Sequence, residues 1–121
     1  MSDIGKIVWT DLTVRNADAN RDFYKEVFNW TFEEVSMGDY SDYTMKNENG
    51  DVIGGICHKD GPNKDFPSQW INYIKVNSIN DSLKKAEKLG GKIIIPVNPD
   101  SSYKMAVIQD VAGAYIGLFE E

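Results

Sequence analysis

Thr10-Asp11-Leu12-Thr13-Val14 and Asn72-Tyr73-Ile74-Lys75-Val76 lie 62 residues apart (14 to 76) and share one alternating pattern that ends on valine. Further on, Asn49-Gly50-Asp51-Val52-Ile53-Gly54 matches Ala112-Gly113-Ala114-Tyr115-Ile116-Gly117 at a spacing of 63 (50 to 113), so one residue is inserted between the two anchors. Self-similarity at a fixed period marks an internal repeat. Module one is expected over residues 5–58 and module two over 69–121. Residues 59–68, with Gly61, Pro62 and Pro67, read as the connection within a single domain.

Each module runs through the same patterns. Residues 7–14 and 70–76 have the β-branched alternation of half-buried strands. A helix follows each, with Asn16 and Ser78 as N-caps and Ser78 with Asp81 resembling a capping box. Ala19, Phe23 and Val27 share a face of the first helix; Ile79, Leu83, Ala86 and Leu89 share one of the second, which Gly90-Gly91 ends. Three short strands follow in each module: 31–35, 42–46 and 52–58, then 92–96, 104–109 and 114–120, with Asn49-Gly50 as a hairpin turn. The order is βαβββ twice. The expected fold is α+β, two tandem βαβββ modules forming a curved mixed sheet around a central cleft.

Bulk properties narrow the function. In a chain of 121 residues, 41% hydrophobic content is enough for a core, and a net charge of −6 opposes binding to nucleic acid, whose phosphates demand clustered cations. The opening Met1-Ser2-Asp3-Ile4-Gly5-Lys6 lacks the pattern of a signal peptide, and no apolar run reaches the ~18 residues of a membrane span. A soluble cytoplasmic protein is expected, with no membrane partner. The single cysteine, Cys57, excludes an internal disulfide.

Arg21-Asp22-Phe23-Tyr24-Lys25-Glu26-Val27-Phe28-Asn29-Trp30, Leu89-Gly90-Gly91-Lys92 and Gln109 to Phe119, taken together and in register, resemble the vicinal oxygen chelate superfamily. That family includes glyoxalase I, extradiol dioxygenases, fosfomycin-modifying transferases and bleomycin-resistance proteins. Asn29 and Val111 stand where the family commonly has glycine and proline. Trp70-Ile71-Asn72-Tyr73 is similar to the opening of the second half in a large bacterial, glyoxalase-related subgroup. Members of that subgroup mostly have no established reaction.

The resemblance implies metal ligands on the first and last strands of each module. By register these positions are Trp9, Ile71, Gly54 and Gly117, and none has a ligating side chain. The chain also has only one histidine, His58, so a site of two histidines and a carboxylate cannot form. No metal and no cofactor are expected, which argues against lactoylglutathione-lyase chemistry.

The cleft is expected to be lined by Trp9, Asp11, Tyr73 and Tyr115, with Tyr40, Tyr43 and Phe119 nearby. Gly54 and Gly117 would enlarge it, and Val8, Leu12, Ile74 and Val76 would face the helices. His58 shares parity with Gly54 and is expected either to join Asp11 or to stand at a strand end. On this reading Gly54→Trp would block a ligand and spare the fold, and Cys57 would face the helix, buried and inert. Asp11 either contacts a ligand or pairs with Lys75; the aromatic residues either line a site or fill a core. Three functions remain open: a metal-free small-molecule binding protein that sequesters a toxin or antibiotic, a lyase or isomerase with an unconventional site, or a ligand-free scaffold. A homodimer is expected in each case.

Overall fold

The computed structural model describes residues 2–121. Its elements run β1 (Ile7–Val14), α1 (Ala17–Phe28), β2 (Thr31–Ser36), β3 (Ser41–Lys46), β4 (Val52–His58), a 3-10 turn (Gly61–Asn63), β5 (Trp70–Lys75), α2 (Ile79–Lys88), β6 (Lys92–Ile95), β7 (Lys104–Gln109) and β8 (Tyr115–Glu120). The fold is α+β and the order βαβββ occurs twice.

The chain divides into two compact units, Thr10–Trp70 and Ile71–Glu121 together with the residues through Trp9. The N-terminal segment joins the latter through its backbone: Gly5 donates to the Lys75 carbonyl at 2.8 Å, and Lys75 donates to the Lys6 carbonyl at 3.0 Å. Each unit carries a four-stranded mixed ladder of the same design. In the first unit the order is β2-β3-β4-β1 with β1 parallel to β4; in the second it is β6-β7-β8-β5 with β5 parallel to β8.

The helices start where the caps predict. Asn16 Oδ1 accepts from Ala19 N and Ser78 Oγ from Asp81 N. At α2 a second acceptor comes from Glu120, whose Oε1 takes the Ile79 N–H at 2.8 Å. This bond ties the last strand to the helix start and, with Lys104, holds the Glu120 carboxyl below the usual range. Asn29 closes α1 in the left-handed region (φ 58°), a conformation Asn tolerates better than most residues.

Each helix covers one face of its ladder. Leu12, Ala17, Tyr43, Met45 and Ile56 form the core of the first unit, flanked by Val14, Tyr24, Trp30, Phe32 and Trp70. Ile79, Leu83, Ala106 and Leu118 form that of the second, flanked by Val76, Ile93, Val97 and Ile108. Burying each large apolar side chain stabilises the fold by about 1.5–3 kcal/mol. The expected core stripe of α1 needs correction, because Phe23 and Val27 are 59% and 53% exposed. The helix turns Ala17 and Tyr24 inward instead, and Arg21 lays its guanidinium 4.5 Å from the Phe32 ring centre. Four-residue spacing finds a stripe but cannot tell which of two neighbouring apolar stripes is buried.

Candidate ligand-binding faces

The parallel ladders fix which residues look away from the helices. In the first unit Asp11 pairs with Gly55, Leu12 with Ile56 and Thr13 with Cys57; in the second Tyr73 pairs with Gly117 and Ile74 with Leu118. Leu12, Ile56 and Leu118 belong to the helix-side cores, so Asp11, Thr13, Gly55 and Cys57, like Tyr73 and Gly117, lie on the opposite faces. The structural counterpart of Gly117 is therefore Gly55, 62 residues before it, rather than Gly54.

A β-bulge explains the slip. Met45 pairs with Gly54 and Lys46 with Val52, leaving Ile53 as an extra residue, whereas β7 and β8 pair without interruption from Lys104 to Gln109. An extra residue reverses the alternation on one side of it. Aligning the chain on its turns thus shifts β4 by one place and reverses its faces.

Three expectations change as a result. Gly54 borders no open space, since a Cβ there would stand 2.3 Å from the Thr10 carbonyl oxygen. Its role is close approach of two strands, and Gly54→Trp would damage the fold. Of the two alternatives for His58 the strand end holds, since it closes β4, and it follows Ile56 onto the helix side, away from Asp11. Its Nε2 lies 3.4 Å from Asp18 Oδ1 and its Nδ1 3.4 Å from Asp42 Oδ1. Cys57, expected beneath the helix, lies instead on the face with Asp11. Burial pushes its thiol up, and the negative charges of Asp11 and Asp42 push it further, so it stays a protonated, unreactive thiol.

The face of the first unit is polar, bearing the Asp11 carboxylate, the buried Thr13 hydroxyl, the Cys57 thiol and, from β3, the buried Asp42. Gly55, itself buried, pairs with Asp11. The corresponding place in the second unit is filled: Tyr73 is 2% exposed, and a Cβ on Gly117 would come within 2.3 Å of its ring. Tyr115 and Phe119 share that face by alternation, with Phe119 6.1 Å from the Tyr103 ring. Trp9 and Tyr115 are half-buried, and Lys75 Nζ lies 3.2 Å from Glu121 Oε2. Tyr43 belongs to the helix-side core and donates to Asp18, while Tyr40 packs on His58.

These side chains do not fit the metal that the fold commonly holds. Gly55 and Gly117 offer no donor, the Tyr73 ring occupies the space over Gly117, and among the described residues no group of three His, Cys, Asp or Glu side chains is arranged to hold a metal ion. No described helix is long and apolar enough to cross a membrane. Asp42 and Gly55 were missed from sequence; anchoring β4 on Ile56 as a core residue would have placed Gly55 on this face.

Comparison with known proteins agrees with this architecture. "Putative glyoxylase CFP32" of Mycobacterium tuberculosis is 27% identical over 115 residues, 93% of this chain and 44% of that protein. The anthracycline biosynthesis protein DnrV of Streptomyces peucetius is 27% identical over 130 residues, 97% of this chain and 47% of that one. The chain thus spans less than half the length of the curated relatives it matches. Among solved structures, a superfamily member from Vibrio splendidus 12B01 superposes with a TM-score of 0.61 at 10% identity, covering 93% of this chain and 97% of the other. Methylmalonyl-CoA epimerase from Mycobacterium tuberculosis gives 0.58 at 12% identity, with 99% and 91% covered. Both structural likenesses speak to the fold alone. Residues 6–118 match the family described as the Glyoxalase/Bleomycin resistance protein/Dioxygenase superfamily, and the chain belongs to it.

Proposed function

We propose that this protein is a metal-free small-molecule binding member of its superfamily, with Asp11 as the polar contact for a ligand. The observation that carries this reading is the asymmetry between two equivalent positions. Gly117 is covered by a tyrosine ring of its own chain, whereas Gly55 faces a carboxylate flanked by a hydroxyl and a thiol. Binding sites rest on a few placed polar groups, and Asp11, Thr13 and Cys57 are the groups we assign to this one, all on one face of the first unit. A relative bearing the name of an anthracycline biosynthesis protein supports a flat polycyclic compound as a probe. Sequestration of such a compound, rather than its conversion, is the function we assign, in a cytoplasmic homodimer.

Two measurements test the metal-free part. Elemental analysis of purified protein is expected to find far less than one transition-metal ion per chain. Assays with hemithioacetals in the presence of added divalent ions are expected to show no turnover. A stoichiometric, tightly held metal, or turnover restored by one ion, contradicts the proposal and favours a lyase with an unconventional site.

A further inference from the structure

The polar cluster around His58 lies on the helix side of the first unit and shares only Asp42 with the face that bears Asp11 and Cys57. Its ring is held between two elements. Asp18, in the first turn of α1, stands 3.4 Å from Nε2, and Asp42 of β3 stands 3.4 Å from Nδ1. Asp42 Oδ1 also accepts the His58 backbone N–H at 2.9 Å, and the His58 carbonyl accepts from Asn63. The His58 and Asp42 side chains are only 16% and 11% exposed.

The other charged and titratable groups facing this ring are few. From α1, Arg21 reaches Asp18 at 3.9 Å, but its guanidinium lies over Phe32 and Tyr43 and bonds Asp22. From β3 and the turn before it come Tyr43, whose hydroxyl donates to Asp18, and Tyr40, 5.3 Å from the imidazole. Burial pushes both phenols up, and Asp60 and Cys57 add to the effect on Tyr40. Among these groups, only an imidazole ordinarily changes charge between about pH 5 and 8.

We infer that His58 is a proton-operated clamp that fastens the start of α1 to β3. A protonated imidazole has an N–H on both sides and donates to both carboxylates at once. The neutral ring has one N–H, so its other nitrogen turns a lone pair toward a carboxylate oxygen. The clamp is therefore fully made while the ring is protonated and loosens as pH rises through its titration. Asp42 connects it to the other face of the sheet, where its charge acts on Cys57.

The test is amide exchange at the start of α1, where Asn20 N bonds the Asn16 carbonyl at 3.1 Å. Exchange protection at Asn20 and Arg21 is expected to be about two- to fivefold greater near pH 5.5 than near pH 8, the size of a partly exposed charge pair. The difference should track the ring titration of His58, the only histidine of the chain, followed by NMR. It should vanish in His58→Gln and shrink in Asp18→Asn, which keeps an acceptor for Tyr43. Equal protection at both pH values in the wild type, or a difference that survives in His58→Gln, overturns the clamp. Should His58→Gln fail to fold, an undiminished difference in Asp18→Asn overturns it equally.

Discussion

The two units share strand order and helix placement, yet they treat the same position differently. In the first, Gly55 faces Asp11 on a surface with Thr13, Cys57 and Asp42; in the second, Gly117 lies beneath Tyr73. A repeat conserves the backbone because both copies must bury one sheet face under one helix. The face turned away from the helix is under no such demand, so one copy can hold polar groups while the other fills its space with a ring.

The largest expected effect comes from emptying the filled position. Tyr73→Ala should lower stability by about 3–5 kcal/mol in urea denaturation, the cost of a large buried aromatic side chain. A loss under ~1 kcal/mol would mean that the ring is not part of the packing. Gly54→Val comes next, at roughly 3 kcal/mol, because its Cβ meets backbone, which cannot swing aside. Gly117→Ala should cost about 1–3 kcal/mol, and markedly less in a Tyr73→Ala background, since the two share one space. Additive costs would show that the glycine and the ring are independent.

Smaller effects probe the polar face and the helix start. Cys57 should react with a disulfide reagent at pH 8 far more slowly than free cysteine, and Asp11→Asn should speed the reaction by removing one of the charges that hold the thiol protonated. Last is Glu120, whose folded carboxyl titrates below its ordinary range. Its stabilising contribution is present above the unfolded carboxylate range and is lost as pH falls through the depressed folded value. Thermal melts of Glu120→Gln should therefore vary less with acid than those of the wild type.

Much of the fold was legible because its signals are local and redundant. Alternation placed β1 and β5, Asn16 and Ser78 placed the helix starts, and Asn49-Gly50 placed a hairpin. The site was less legible because it depends on which face each residue takes, and one bulged residue, Ile53, reverses that assignment. From sequence the turns of the two repeats superpose well, which assigns the shift upstream of Gly50; the ladder places its compensation inside β4. Phe23 and Val27 teach the same lesson for a helix, where exposure is decided by the sheet the helix covers rather than by its own periodicity.

The central claim, ligand binding without a metal through Asp11, is tested most directly by titrating the protein with an anthracycline in the presence and absence of EDTA, following tryptophan fluorescence. The account predicts saturable binding that EDTA leaves unchanged and that Asp11→Asn weakens about tenfold or more, as expected for loss of a hydrogen bond to a charged group. Binding abolished by EDTA and restored by a divalent ion, or an affinity identical in wild type and Asp11→Asn, would contradict it.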